Sequence, residues 1–175
     1  YQLCDLNGSL TDISIPHAGH VMAVDDQGYV LCQYPVTRTV RTDSGTMNDT
    51  FCQYTLLGPD FTVLQDGIDQ YYNVGQYDYS CDSELFYNGL VAVRVGATDW
   101  YLPDGGPWPR LYFNSKYMFI DRSGKTVSSS RYDEVSHEND RWFGCHGTTE
   151  YLLDSNGNER EQANYCYVPS TWAEN

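Results

Sequence analysis

Positive charge is what this sequence has least of. Lys and Arg number 10 against 24 Asp and Glu, giving a net charge of −14 and a pI near 4.3. A nucleic-acid binder uses Lys and Arg to release phosphate counterions. No basic run is present, so nucleic acid and anionic membrane surfaces are excluded as partners. Long apolar runs are missing too. None approaches the roughly 18 residues of a membrane span, so no membrane insertion is expected. Helical periodicity is scarce, and the phosphate loop G-x-x-x-x-G-K does not occur. No two of the six cysteines are spaced C-x-x-C, which argues against a zinc ribbon or a thioredoxin-type site. Catalytic signatures are equally absent. Carboxylates are so plentiful that no pair of them signals a glycosidase. Cys145 and His146 are neighbours in sequence, which does not orient a thiolate against an imidazole. His17-Ala-Gly-His20 follows Pro16 and contains Gly19, so it does not form a helix that aligns two imidazoles on a metal. The expectation is no enzyme, no cofactor and no metal.

What is present is aromatic. The chain of 175 residues holds 16 Tyr and 4 Trp. Disordered chains are poor in aromatics, so this one is read as folded. Short apolar or alternating runs recur: Val21–Val24, Tyr29–Tyr34, Leu90–Val95, Tyr117–Ile120 and Tyr151–Leu153. All read as strands. Between them lie Asp5-Leu-Asn-Gly8, Asp25-Asp-Gln-Gly28, Asp121-Arg-Ser-Gly124 and Asp154-Ser-Asn-Gly157. Asp can cap such a turn, and Gly supplies the positive φ of a tight hairpin. Gly124 and Gly157 are 33 residues apart, as are Gly28 and Phe61, where Tyr54–Asp60 forms a degenerate copy. A calcium loop would need further carboxylates and a late Glu that these turns lack. The even cysteine count in an acidic, Tyr-rich chain fits an exported protein with up to three disulfides. Cys32 and Cys52 bracket a polar, loop-like stretch and are the first pair expected. Asn7-Gly-Ser9 and Asn48-Asp-Thr50 match the glycosylation sequon.

The pattern resembles the WG (KWG) repeats of bacterial proteins. That family reads aromatic-Gly-apolar-Ile-Asp-x-x-Gly-Lys, then Tyr-Asp-x-Val, then Phe-x-x-Gly-Leu-Ala-x-Val. Tyr117–Lys125 is similar to the first block, Tyr132-Asp-Glu-Val135 to the second, and Phe86–Val93, preceded by Tyr77-Asp78, to the third. Tyr151–Gly157 opens another copy. The match is best over residues 76–160. The Trp-Gly places hold Tyr117-Met118, Glu150-Tyr151, Val21-Met22 and Tyr1-Gln2, so the repeats are divergent. The resemblance implies β-hairpin units in an exported or surface protein of bacteria, with no activity or functional residues to carry over. A hairpin does not bury its apolar face alone. The expected fold is therefore all-β: one domain over 1–175, with hairpins stacked into a compact sheet, a sandwich or a short solenoid.

Function is sought in insertions. The gap from Arg94 to Lys116 holds Trp100, Tyr101, Asp104, Trp108 and Arg110 among Pro103, Pro107 and Pro109. Two Trp and a Tyr in a stiff loop suit the C–H face of a sugar, with Asp and Arg taking its hydroxyls, and a stiff surface loses little entropy on binding. This reading requires Trp100 and Trp108 to be partly exposed. Tyr71 and Tyr72 open a second Tyr-rich stretch of adaptable binding chemistry. Trp142 reads as core. The expected function is a non-catalytic extracellular glycan-binding module that takes a poly- or oligosaccharide. The alternative is a protein-interaction or structural repeat using an exposed apolar patch or strand edge.

Overall fold

A computed structural model describes residues 2–4, 7–72, 84–102 and 112–165. The described fold is all-β, apart from one 3-10 turn at Pro16–Ala18. Its strands are β1 (Gln2–Cys4), β2 (Leu10–Asp12), β3 (His20–Val24), β4 (Val30–Thr42), β5 (Gly45–Leu57), β6 (Val63–Tyr71), β7 (Leu90–Val95), β8 (Trp100–Tyr101), β9 (Tyr112–Phe113), β10 (Tyr117–Asp121), β11 (Glu134–Glu138), β12 (Arg141–His146), β13 (Thr149–Leu153) and β14 (Glu159–Tyr165). The main sheet runs β10-β7-β6-β5-β4-β8-β9, and β3 also pairs with β4. A second sheet runs β11-β12-β13-β14, and β1 pairs with β2.

One turn recurs four times. In three copies the Asp N–H donates to the carbonyl four residues on, and the Gly N–H donates back to the Asp carbonyl: Asp25–Tyr29, Asp121–Lys125 and Asp154–Asn158. The Asp Oδ1 accepts further backbone N–H groups in each, from Gln27 and Tyr29, Ser123 and Lys125, and Asn156 and Asn158. The fourth copy reverses the residue types. Gly58 takes the Asp place, Phe61 takes the left-handed place at φ 62°, and Asp60 caps Thr62 from inside the turn. Asp5 lies outside the described residues, but Gly8 has the matching φ of 83°.

The turns also pack on neighbouring units. A Cβ on Gly124 would lie 2.7 Å from the Leu64 carbonyl oxygen, and one on Gly157 would lie 2.5 Å from the Phe119 ring. Glycine is needed at both places for space as well as for φ.

The runs at Leu90–Val95 and Tyr117–Ile120 become strands covered on both faces, whereas Val21–Val24 in β3 stays largely exposed. From β7 and β10, Val91, Val93, Met118 and Ile120 join Leu31, Leu56, Ile68 and Phe86 in one core. The alternate residues Leu90, Ala92, Tyr117 and Phe119 join Tyr132, Val135, Trp142 and Leu153 in a second core against the β11–β14 sheet. Trp142 is thus core, and its Nε1–H donates to the Tyr87 carbonyl at 3.0 Å. Tyr132 is fully buried and donates its hydroxyl to Gly157 O at 2.9 Å.

The stretch between Cys32 and Cys52 is a correction. It is a two-stranded arm of 13-residue strands, β4 and β5, joined at Asp43-Ser44. Its Thr and Val residues are β-branched and suit strands, polar though the stretch is. Cys32 pairs in register with Thr55, and Cys52 with Pro35. The two thiols are therefore three positions apart on opposite faces, about 10 Å along the strand, beyond disulfide reach. Both are free thiols, Cys32 buried and Cys52 exposed. The other four cysteines leave room for at most two bridges. The gap from Arg94 to Lys116 is likewise not all loop, since it carries β8 and β9, which pair with each other.

Candidate functional site

The described part of the expected aromatic site does not form an open plate. Trp100 is only 8% exposed and packs with Val40 and Ala97, with Phe51 and Leu102 at the margin. The Arg38 guanidinium covers its ring, 5.2 Å from the centroid. Tyr101 is half-buried. Its hydroxyl donates to Asp43 at the tip of the β4–β5 arm, and Arg41 lies 5.7 Å over its ring. Asp104, Trp108 and Arg110 lie outside the described residues. Tyr71 and Tyr72 are adjacent and point into different cores. Tyr71 meets Tyr54 edge-on at 5.0 Å, whereas Tyr72 meets Trp142 at 5.3 Å and accepts the His137 N–H. Alternation along an extended chain covered on both faces accounts for this split.

The structure instead brings Trp100 to the end of a polar seam on one face of β4, β5 and β6. Tyr34 and Arg38 alternate onto this face from β4, and Gln53 and Thr55 face the same way from β5 as partners of Tyr34 and Cys32. Asp66 and Asp69 join from β6, although a spacing of three should put them on opposite faces. A bulge resolves the conflict. Tyr54 pairs with Ile68 and Leu56 with Gln65, so β6 carries one extra residue there, and Gly67 sits at φ 64°. The extra residue flips the alternation and aims both carboxylates the same way.

The seam is continuous. Gln53 Nε2 donates to Asp69 Oδ1 at 2.6 Å, and Gln53 Oε1 lies 3.4 Å from both Arg38 Nη2 and the Tyr34 hydroxyl. The same hydroxyl is 3.3 Å from Asp66 Oδ1, which also accepts from Thr55 Oγ1 at 2.6 Å. Asp69 Oδ2 accepts the Ala97 N–H at 2.9 Å. At the far end His17 Nε2 donates to Asp66 Oδ2 at 2.9 Å, and its ring stacks on Tyr34 at 4.1 Å. His17 holds this place from a left-handed backbone, φ 58°. The His17 and Asp66 side chains are 45% and 44% exposed, so this end of the seam opens to solvent. Arg38 Nε is buried and has no partner among the described residues.

Electrostatics keep the open end charged. Partial burial opposes ionisation of Asp66, but the hydrogen bonds from Thr55 and His17 outweigh it and hold its carboxyl below the usual range. Burial and then the Asp66 charge push the Tyr34 phenol up, so it stays a neutral donor. No group of three or more metal-ligating side chains occurs among the described residues. No helix among the described residues is long and apolar enough to cross a membrane. Sequence reading missed every member of this seam except Trp100. The seam depends on strand pairing and on the bulge, which the residue spacing does not show.

No protein-family model, curated protein or solved structure matches the chain.

Proposed function

We propose that the chain is a non-catalytic glycan-binding module of an exported bacterial protein, and that the seam from His17 to Arg38 takes the hydroxyls of a poly- or oligosaccharide. One observation carries the reading: a carboxylate, a phenol, an amide and a guanidinium stand in a row on a rigid sheet face, locked by bonds to one another and open at one end. Locked polar groups bind at low entropic cost. Sugar hydroxyls donate to Asp66 and accept from the outer nitrogens of the Arg38 guanidinium. Stacking on Trp100 is replaced by its role as the floor under the Arg38 plane. The ties on Asp66 and Asp69 favour binding over catalysis, since each of their four oxygens already accepts a protein donor. The recurring turn supports placing the chain among divergent hairpin-repeat proteins of the WG type.

Intrinsic Trp fluorescence, titrated with a panel of neutral oligosaccharides, tests this reading. A saturable change is expected for at least one glycan. Asp66→Asn and Arg38→Ala should each weaken it roughly tenfold, about 1.4 kcal/mol. A panel with no response, or both variants binding like the parent, would sink the assignment. The protein-interaction alternative rests on a different surface, the outer edge of β5.

A further inference from the structure

We propose that the outer edge of β5, residues 45–52, is a docking edge for an extended basic segment of another protein, added as a further β-strand.

Among the described residues, no strand pairs with β5 on its outer side before Tyr54. Residues 45–52 therefore offer an unpaired edge about 26 Å long. Native sheets blunt such edges with short strands, Lys, Pro or bulges. This one has none of these: β5 is 13 residues long, it pairs with β4 without a register shift, and 45–52 contains no Lys, Arg or Pro. The backbone polarity follows from the hairpin. Thr42 and Gly45 close it, so alternate residues Thr46, Asn48, Thr50 and Cys52 direct N–H and C=O away from β4. Pro35, which lacks an N–H, sits opposite Cys52, where the β4 ladder needs none. Thr50 gives independent support, because its N–H donates to the Asp49 side chain at 2.8 Å rather than to β4.

The charge selects the occupant. Asp49 is the one charged residue of the segment. Its register partner, Arg38, is engaged with Gln53 and Trp100. A second copy pairing about a two-fold axis would set Asp49 near its own image between two chains of charge −14, so self-addition is disfavoured. A Lys or Arg opposite Asp49 would draw the carboxylate off the Thr50 N–H and free that donor for the ladder. On the same face Met47, 45% exposed, and half-buried Phe51 flank Asp49. The fitting strand reads apolar, polar, basic, polar, apolar. Main-chain bonds then give affinity and alternate side chains give selectivity.

Fluorescence anisotropy with a short labelled peptide of alternating Val and Thr around one central Lys is the test. The parent protein should bind it saturably and bind the same peptide with central Glu at least tenfold more weakly. Thr50→Pro removes an outward donor while leaving the β4 ladder intact, and should lower affinity at least tenfold with an unchanged circular dichroism spectrum. If that variant unfolds, Asp49→Lys makes the same demand from an edge side chain. The proposal is overturned if the parent ignores the Lys peptide, if Lys and Glu peptides bind alike, or if the folded variants bind like the parent. A dimer in sedimentation velocity that these variants dissolve also overturns it, because the edge would then serve a second copy. Asp66→Asn should leave peptide binding unchanged, so this result and the glycan result fail separately.

Discussion

Gly124 and Gly89 separate two things a glycine can do. Both have positive φ, 80° and 78°. A Cβ on Gly89 meets nothing within 4 Å, whereas one on Gly124 meets the Leu64 carbonyl oxygen at 2.7 Å. Gly89→Ala should therefore cost only the left-handed penalty, about 1 kcal/mol. Gly124→Ala should cost about 2–4 kcal/mol, because backbone must also move. Urea denaturation of the two variants reads the difference directly; equal losses would mean that the turns do not pack on their neighbours. The capping carboxylates set the acid limit of stability. Hydrogen bonds from Thr62 hold Asp60 low, Arg41 holds Asp99 low, and Ser123 holds Asp121 low. Asp66 and Asp133 are also held low, against the opposing effect of burial. A depressed carboxyl stabilises the fold above its unfolded value, and that stability is lost as pH falls through the folded value. Glu134 runs the other way. Burial raises its carboxyl, so its contribution is full below the ordinary value and lost as pH rises through the raised one. Five against one predicts progressive destabilisation below about pH 4, measured as falling urea midpoints.

The hairpin turns were legible in sequence because their information is local: an Asp, a Gly and two strands within reach of each other. Even the copy without Asp and Gly in their places was visible by its spacing, and there Phe61 holds the left-handed position. Phe61→Gly should relieve about 1 kcal/mol of backbone strain. It also strips a half-buried ring from Ile15, Val30, Cys32 and Leu57, a loss of about 2 kcal/mol. Net destabilisation near 1 kcal/mol by thermal or urea unfolding is the expected outcome, and a stabilised variant would show that strain dominates. The arm and the seam were not legible. Thr37, Thr39 and Thr50 look like loop residues until β4 and β5 pair them across an exposed face, with Thr37 and Thr50 hydroxyls 3.4 Å apart. The face shared by Asp66 and Asp69 exists only because of the bulge at Gly67, and nothing in the spacing announces it. Cysteine pairing failed for a related reason: closeness along the chain says nothing about parity across a ladder. Thiol labelling of the native protein, mapped by peptide mass spectrometry, should modify Cys52 and spare Cys32 until unfolding. Burial also pushes the Cys32 thiol up, so it is the less reactive as well as the less accessible of the two.

Taken whole, the molecule carries its excess of carboxylates around its apolar cores, and the two features pull on stability in opposite directions. Ion pairs offset little of the charge. Arg41–Asp99 and Lys116–Asp133 lie at the surface, where water and salt screen them. Arg94 is buried and donates to the Ser115 carbonyl and to Glu134, which ties β7 to the second sheet rather than balancing the surface. With 24 acidic side chains against 10 basic ones, repulsion among like charges dominates the long-range field at neutral pH. Screening shortens that field to about 10 Å at ~0.1 M salt, while contacts at hydrogen-bond distance are affected far less. Raising NaCl from about 10 to about 150 mM at neutral pH should therefore raise the thermal midpoint by a few degrees. Most of the gain should come in the lower half of that range. If attractive surface pairs governed stability instead, the same titration would lower the midpoint. Sodium chloride and potassium chloride should act alike, since screening depends on ionic strength and not on the cation. A midpoint that is flat in salt would mean that the carboxylates are spread too far apart to repel, and that the cores alone set the stability.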